Sequence, residues 1–309
     1  MFPAPFTDVR VLTGPTGSGK TELGVELAER MGAEIIALDS MTLYRGMDIG
    51  TAKPGPELRR RVPHHLLDVL EPWQSGTVAW WLNEAAACVR AIEARGKQAL
   101  FVGGTPLYLK ALLYGLFDGP PADLELRRRL AQEADAAGSQ VLHARLAGVD
   151  PLAAARLHPN DLRRIIRALE VWQITGRPIS AWQEQWQADK QETAEAPPRV
   201  LWLDLPREQL YARIDERVQR MIGDGLVDEV RALRHLPRPM SREAAQALGY
   251  KELSTHVDGR CTLPEAVVQI QTRSRNFAKR QMTWFRHLPG CRPATRELTF
   301  SLWGLKMDC

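Results

Sequence analysis

The architecture of this chain follows from the segment Gly14-Pro15-Thr16-Gly17-Ser18-Gly19-Lys20-Thr21. The segment fits the phosphate-binding pattern G-x-x-x-x-G-K-[ST] at every fixed position. The apolar residues Val9, Val11 and Leu12 predict a short buried strand before it, and residues 22–31 predict a helix after it. A strand, a glycine-rich turn and a helix start direct backbone N–H groups and the positive end of the helix at one point. The sequence therefore predicts a site for a diphosphate or triphosphate.

Two residues of this motif have separate expected roles. Lys20 adds a positive charge beside the phosphates, and the Thr21 hydroxyl is the expected ligand of Mg²⁺. The motif indicates that a phosphate chain is bound. It specifies neither the molecule that carries the phosphates nor whether a phosphoryl group is transferred.

Strands and helices alternate on both sides of the middle of the chain. Residues 33–38, 98–102 and 199–205 predict strands, whereas residues 77–95 and 207–222 predict helices. This alternation predicts an α/β fold, a P-loop NTPase-like parallel sheet wrapped by helices. Ligands of such sheets bind beyond the carboxyl ends of the strands, where the loops 14–21, 39–42 and 103–105 are expected to meet.

The middle of the chain lacks predicted strands. After Pro120-Pro121, residues 123–186 read as helices only, and the polar stretch 187–198 reads as a linker. The sequence therefore predicts an all-helical insertion at 121–198 within a catalytic core made of 1–120 and 199–309. The segment between the second strand and about Pro63 is expected to be a loop, and the last twenty residues predict no particular element.

Composition narrows the class of protein. The 309 residues are 44% apolar and 25% charged, as in ordinary globular proteins, with a net charge of +4. No apolar run approaches bilayer-spanning length, and the first residues show no secretory signal. The four cysteines form no C-x-x-C pair, which favours a reduced cytoplasmic setting.

Three positions near the predicted phosphate site carry chemistry. Asp39, at the end of the second strand, could act as a general base, or it could cap a helix or contact Mg²⁺ indirectly. Thr105 follows two glycines, so it could approach a ligand closely or simply form a turn. Arg213, Arg217 and Arg220 share one helix face, which is either a solvated surface or a clamp on a leaving diphosphate.

Basic clusters and a histidine pair remain. Adjacent side chains such as His64 and His65 diverge, so a structural role is favoured over shared metal binding. Basic clusters at 127–129, 163–167 and 279–286 each resemble a solvated helix face when taken alone. Three such clusters around one phosphate site indicate a polyanionic partner, and the last one mixes cations with aromatics, as suits a phosphate backbone beside a stacked base.

Several blocks carry a family resemblance. The first is Asp39-Ser40-Met41-Thr42-Leu43-Tyr44-Arg45-Gly46-Met47-Asp48-Ile49-Gly50-Thr51-Ala52-Lys53-Pro54, and the last is Lys279-Arg280-Gln281-Met282-Thr283-Trp284-Phe285-Arg286. Between them stand PHHLLD at 63–68, GGTPLY at 103–108, NDLRRIIRALEV at 160–171, TGRPIS at 175–180 and ALGYKE at 247–252. Together with the phosphate motif, these blocks resemble the tRNA dimethylallyltransferases, also called tRNA isopentenyltransferases, of the compact bacterial type.

The resemblance implies a transfer reaction and two substrates. The expected activity moves a dimethylallyl group from dimethylallyl diphosphate to N6 of adenosine 37 in tRNAs reading codons that start with U. Asp39 is then the base that accepts the N6 proton, Thr105 holds the reacting groups in line, and Arg217 contacts the diphosphate. Mg²⁺ is the expected cofactor, the anticodon stem-loop is the expected partner, and the protein is expected to be a monomer without membrane contact.

The resemblance also implies the ligand contacts of individual residues. Expected diphosphate contacts are Gly14, Pro15, Thr16, Gly17, Ser18, Gly19, Lys20, Thr21 and Arg217. Expected tRNA contacts are Asp39, Ser40, Met41, Thr42, Thr105, Arg127, Arg163, Arg164, Ile165, Ile166, Arg167, Gln246, Gly249, Tyr250, Lys251, Lys279, Arg280, Gln281, Thr283, Trp284 and Arg286. The chain departs from many members at Thr42, where glutamine is common, and at Gly17, where alanine is common.

Three other functions share part of this pattern. A small-molecule kinase would use the phosphate motif with ATP, but it would leave the clusters at 160–180 and 279–286 without a role. A transferase acting on free AMP or ATP would not need the insertion. A non-catalytic tRNA-binding protein would not need the intact phosphate motif or Asp39.

Overall fold

A computed structural model describes residue 6 and residues 9–117, 119–183 and 198–307 of the chain. The described residues form one six-stranded sheet in the order β3-β2-β4-β1-β5-β6. The strands are β1 (Arg10–Thr13), β2 (Ala33–Ala37), β3 (His64–His65), β4 (Gln98–Gly103), β5 (Val200–Leu203) and β6 (Cys291–Ala294). Every neighbouring pair is parallel, which confirms the predicted α/β fold class.

Fifteen helices accompany the sheet in the described ranges. They are α1 (Lys20–Met31), α2 (Pro56–Arg61), α3 (Val78–Glu93), α4 (Pro106–Tyr114), α5 (Leu124–Ala137), α6 (Ser139–Val149), α7 (Pro151–Arg156), α8 (Leu162–Thr175), α9 (Ile179–Trp182), α10 (Arg207–Gly223), α11 (Leu226–Arg234), α12 (Arg242–Ala245), α13 (Tyr250–Val257), α14 (Leu263–His287) and α15 (Arg296–Leu302). None of the described helices is both long and apolar enough to span a bilayer.

The strands predicted from apolar runs are the central strands of the sheet. β2 and β5 are buried along their whole length, as expected for strands covered on both faces. Helix α1 packs closely on this sheet, because a Cβ atom on Gly24 would come within 2.8 Å of the Val102 side chain. Helix α3 begins as predicted, with the Thr77 hydroxyl accepting a hydrogen bond from the Trp80 N–H at 3.1 Å.

The two edge strands were not predicted. β3 has only two residues and directly follows the segment, up to about Pro63, that was expected to be a loop and that in fact contains helix α2. β6 lies in the C-terminal region where no element was expected. β6 contains Pro293, which lacks a backbone N–H and is tolerated because this strand lies at the edge of the sheet.

The chain divides into two compact units, one within Tyr114–Gln191 and one made of Pro3–Leu113 and Glu192–Cys309. The sheet and its ligand-facing loops belong to the second unit. The helical unit includes Phe117, which packs against its buried cluster, so this unit starts before the Pro120-Pro121 pair at which the sequence analysis placed its boundary. The linker predicted at 187–198 lies outside the described residues, apart from Pro198.

Candidate active site

The phosphate motif forms the connection between β1 and α1. Gly17 and Gly19 adopt left-handed backbone angles, with φ of 82° and 85°, which residues with a Cβ atom rarely adopt. The Ser18 N–H donates to the Pro15 carbonyl at 3.2 Å and closes the turn. Because α1 begins at Lys20, the N–H groups of its first turn lack intrahelical acceptors and face the same concave loop. This geometry suits an anion at the helix start.

Lys20, Asp39 and Arg217 lie within electrostatic range of one another at this loop. The Lys20 ammonium donates to the Pro15 carbonyl at 3.3 Å. Burial lowers the pKa of Lys20 to about 8; the nearby Asp39 carboxylate opposes this shift and the Arg217 guanidinium adds to it. Burial likewise lowers the pKa of Arg217, again against the attraction of Asp39. The carboxylates of Asp39 and Glu22 both lie within electrostatic range of Lys20 and Arg217. The site therefore holds two cations that lose hydration through burial, and these cations can bind a phosphate chain.

The loops after β2 and β4 are joined beside this charge cluster. The Ser40 N–H donates to the Thr105 hydroxyl at 3.0 Å, and the Thr105 N–H donates to the Leu38 carbonyl at 3.2 Å. One oxygen of Asp39 accepts from the Met41 N–H at 2.8 Å, which orients the carboxylate. The structure therefore brings Asp39 and Thr105 onto adjoining loops at the carboxyl edge of the sheet.

Other predicted site residues of these loops form hydrogen bonds within the protein. Thr42 is buried, and its hydroxyl donates to the Asp39 carbonyl at 3.4 Å, so its side chain is not open to a bound base. The Thr16 N–H donates to the Gln281 side chain at 2.9 Å rather than pointing freely into the loop. Arg213 and Arg220 are exposed, and Arg213 Nη1 lies 4.0 Å from the place of a Cβ atom on Gly19.

Gln281 has a different environment from the one the sequence predicted. This residue was expected to contact tRNA, but its side chain is buried, at 2% exposure. Its amide oxygen accepts from the Thr16 N–H at 2.9 Å, and its amide nitrogen donates to the Gly104 carbonyl at 2.6 Å. Both polar atoms of this side chain are thus bonded to the protein in this structure, and the tRNA contact of Gln281 stays a prediction.

Tyr250 is also an internal residue. Its ring is fully buried, and its hydroxyl donates to the Glu229 carboxylate at 2.6 Å. Glu229 in turn accepts from the N–H groups of Asp48, Ile49 and Gly50 at 2.9, 2.8 and 3.2 Å. Tyr250 and Glu229 thus hold the 48–50 loop, and the tRNA contact of Tyr250 stays a prediction. Glu229 was missed because it stands outside the recognised blocks.

Part of the 39–54 block also has a structural role, because its polar side chains bond to other residues of the protein. The Lys53 ammonium, with its side chain 2% exposed, pairs with Asp48 at 2.8 Å and with Asp68 at 2.5 Å, and it also donates to the Tyr44 carbonyl. Burial raises the pKa of Asp68, but hydrogen bonds from Lys53 and Arg59 outweigh it, so the pKa is lowered. Lys53 therefore fixes the backbone that follows Asp39.

The histidine pair is structural too. His65 Nε2 lies 2.7 Å from the Glu34 carboxylate, and His64 Nδ1 donates to the Val62 carbonyl at 2.7 Å. Hydrogen bonds from Arg95, His65 and Lys97 outweigh the effect of burial and lower the pKa of Glu34 to about 2. The favoured structural role of these histidines agrees with the contacts.

The outer face of α14 carries the expected cations. Lys279, Arg280, Thr283 and Arg286 are exposed, and Trp284 is half-buried. Beside this face lies a cavity of about 480 Å³, whose lining includes Asp204, Arg207, Tyr211, Lys279, Thr283 and Arg286. The contribution of residues 204–211 was not predicted, although the sequence shows a basic and aromatic helix start directly after a predicted strand. Gln246 and Lys251 are exposed as well, whereas Gly249 is buried.

Within the helical unit, the predicted tRNA contacts fall into two groups. Arg163 and Arg164 are exposed on α8. The side chains of Ile165 and Ile166 belong to the buried cluster of the unit, and the tRNA contacts at these two residues stay a prediction.

The remaining two arginines of this group surround a buried carboxylate. Arg127 donates twice to the fully buried Glu170, at 2.8 Å each, and Arg167 donates to it at 2.5 Å. Both guanidinium groups are therefore part of the internal structure of the unit, and only their exposed edges remain for a ligand.

The residues at the phosphate loop suit a Mg²⁺ ion that is coordinated jointly by the protein and by phosphates. Among the described residues, no cluster of three or more His, Cys, Asp or Glu side chains could hold a metal ion by itself. Mg²⁺ usually takes one or two protein oxygens together with substrate phosphates and water. Thr21 offers such an oxygen, and the buried Ser18 hydroxyl of the same loop lacks a hydrogen-bond partner among the described residues. This donor set suits a hard cation.

These features define the class of protein. It is a P-loop α/β protein with a cationic phosphate site, a carboxylate beside that site and a separate helical unit. The model of the IPP transferase family matches residues 42–288, and that of the isopentenyl transferase family matches residues 7–63. The chain belongs to the tRNA dimethylallyltransferase family.

Similar proteins cover nearly the whole chain. A tRNA dimethylallyltransferase of Geobacter metallireducens is 50% identical over 91% of this chain and 90% of the relative, and one of Geobacillus kaustophilus is 48% identical over 90% and 87%. The crystal structure of a Bacillus halodurans tRNA isopentenylpyrophosphate transferase matches with a TM-score of 0.65 and 37% identity, covering 95% of this chain and 92% of that one. A eukaryotic dimethylallyltransferase acting on tRNA matches with a TM-score of 0.71 and 27% identity, over 95% and 75%.

Proposed function

We propose that this protein transfers a dimethylallyl group from dimethylallyl diphosphate to N6 of adenosine 37 in tRNAs that read codons starting with U. The products are N6-(dimethylallyl)adenosine and diphosphate. The observation that carries this proposal is the meeting of Lys20, Arg217 and Asp39 at one phosphate loop, in a chain of this family. A kinase could use the same loop, but a kinase assignment would leave the basic face of α14 unexplained.

The leaving group is held by the chain's cations. The bond between the allylic carbon and the diphosphate oxygen breaks, and its electron pair leaves with the diphosphate. Lys20 and Arg217 are desolvated, so their attraction for this developing charge is stronger than it would be in water. Mg²⁺, when bound with Thr21, adds positive charge to the same phosphates.

The acceptor is activated by a carboxylate. The N6 lone pair forms the new bond to the allylic carbon, and one N6 proton passes to Asp39. Met41 and Ser40 fix the loop that carries this carboxylate, and Thr105 lies on the adjoining loop, where it can hold the reacting groups in line. An adenine must leave its stack to reach such a site. The exposed cations of α14 would bind the anticodon stem-loop. Arg163 and Arg164, exposed on the helical unit, are further predicted contacts of the RNA.

The test uses Mg²⁺, radiolabelled dimethylallyl diphosphate and a synthetic stem-loop containing A36-A37-A38. Wild-type protein should label this RNA but not an A37→G stem-loop, and Asp39→Ala should lower the rate by roughly 10²–10⁴-fold, as expected for loss of a general base. Asp228→Ala, at an exposed aspartate of α11, is the matched control and should retain the wild-type rate. Labelling of free AMP, or phosphate transfer from ATP without RNA labelling, would refute the proposal.

A further inference from the structure

Gln281 is a buried residue on an otherwise cationic helix surface. Its neighbours Lys279, Arg280 and Thr283 are exposed, whereas Gln281 points inward and is 2% exposed. Gln281 therefore does not share the role that the rest of this block suggests.

The side chain of Gln281 joins two loops of the site. Its oxygen accepts from the Thr16 N–H of the phosphate loop at 2.9 Å, and its nitrogen donates to the Gly104 carbonyl at 2.6 Å. A carboxamide carries its acceptor oxygen and its donor nitrogen on two separate atoms at the end of a long side chain, and it adds no charge at neutral pH. A carboxylate here would lack the donor and would place a negative charge next to the phosphate site.

The approach of the two loops depends on the absence of a side chain at Gly104. A Cβ atom at this position would lie 2.7 Å from the Gln281 amide nitrogen, 2.9 Å from the Gly14 carbonyl and 3.4 Å from Lys20 Cε. The loop that carries Thr105 is therefore packed directly on the phosphate loop, and Gln281 bonds them at this contact.

We propose that Gln281 is a positioning residue that fixes the phosphate loop against the loop that carries Thr105, and so sets the affinity for diphosphate rather than for RNA. The link to prenyl transfer rests on the proposed function, but the effect on diphosphate binding does not. The Thr16 N–H lies at the middle of the phosphate loop, so anchoring it keeps the following N–H groups aimed at one point. Preorganised donors bind an anion more tightly than donors that must first be ordered.

The experiment measures two affinities separately in the full-length protein. Inorganic diphosphate with Mg²⁺ is titrated by calorimetry, and a fluorescent anticodon stem-loop is titrated by anisotropy. Gln281→Leu keeps a similar volume but removes both hydrogen bonds, and it should weaken diphosphate binding by about tenfold. Its stem-loop affinity should change by less than about twofold, since no exposed atom is altered.

Two further variants sharpen the test. Asn276→Ala, at an exposed residue of the same helix outside the expected tRNA contacts, should leave both affinities unchanged. Gln281→Glu keeps the acceptor for Thr16 and the side-chain shape, so it serves if Gln281→Leu does not fold. It should lose at least as much diphosphate affinity, because it lacks the donor to Gly104 and adds negative charge. With prenyl transfer, the KM for dimethylallyl diphosphate should rise while the KM for the stem-loop stays the same.

The outcomes separate the two proposals. Unchanged diphosphate affinity in folded Gln281 variants would overturn the positioning role, and so would a loss of stem-loop binding alone. If the wild-type protein binds diphosphate and Gln281→Leu weakens that binding, the positioning role stands even when no prenyl group reaches the RNA. The absence of prenyl transfer to the RNA by the wild-type protein would refute the proposed function, not the positioning role.

Discussion

Replacing Glu170 with glutamine should destabilise the helical unit. The Glu170 carboxylate is fully buried and accepts hydrogen bonds from Arg127, Arg167 and the Asp123 N–H. Burial alone would raise the pKa of Glu170, but these donors outweigh it and lower the pKa. In Glu170→Gln the charge is lost, and an amide N–H₂ group would face guanidinium donors.

The magnitude follows from the exposure of the partners. Breaking a fully buried ion pair on one side costs about 3–5 kcal/mol. The side chains of Arg127 and Arg167 are 38% and 28% exposed, so each can turn partly toward water. We therefore expect a smaller loss, about 2 kcal/mol, after allowing for this solvent screening.

Hydrogen exchange of peptides from α5 and α8 measures this loss of stability within the helical unit. A decrease of about 2 kcal/mol in opening free energy corresponds to about thirtyfold faster exchange of the protected amides. Arg128→Ala is the matched control, because Arg128 is exposed and makes no ion pair within the described part of the chain. Exchange within about twofold of wild type in Glu170→Gln would refute the reasoning.

Substitutions of Arg127 and Glu170 can distinguish a structural role of Arg127 from a role in RNA binding. If Arg127 acts mainly through Glu170, then Arg127→Ala and Glu170→Ala should be non-additive in unfolding free energy, with a coupling of about 1–3 kcal/mol. Additive effects on stability, together with a loss of stem-loop affinity in Arg127→Ala alone, would instead favour direct RNA contact.

Three more substitutions have defined outcomes. The pKa of Glu34 is lowered to about 2 in the folded protein, so its contribution to stability is present above pH 4.5 and is lost as pH falls toward 2. The unfolding free energy of Glu34→Gln should therefore depend less on pH in this range, and an unchanged slope would contradict this. Gly104→Ala places a methyl group 2.9 Å from the Gly14 carbonyl and should cost about 1–3 kcal/mol in thermal unfolding; full stability would show that the loops separate easily. Tyr250→Phe removes the bond to Glu229 and should cost about 1 kcal/mol in chemical denaturation. Lost stem-loop affinity at full stability would instead indicate direct RNA contact by Tyr250.

Much of the fold could be predicted because its signals are local. The apolar runs that became β1, β2, β4 and β5, and the spacing that became α3, depend on neighbouring residues only. The edge strands β3 and β6 could not be predicted in this way. β3 has two residues after a proline-rich segment, and β6 contains Pro293. Each forms a strand only because an existing strand of the sheet offers it a partner.

In the site, the phosphate loop could be recognised without a structure, because the glycines, Lys20 and the following helix lie within one short segment. It also indicated Asp39 and Thr105, since residues at the ends of parallel strands meet at one edge of a sheet. Which polar residues face inward became visible only in the folded chain. Gln281, Tyr250 and Lys53 stand in blocks rich in candidate ligand contacts, yet their bonds go to Thr16, Glu229 and Asp68. A polar residue that binds a ligand and one that binds a distant loop look alike in sequence, because their difference lies in which partner the fold brings within hydrogen-bond distance.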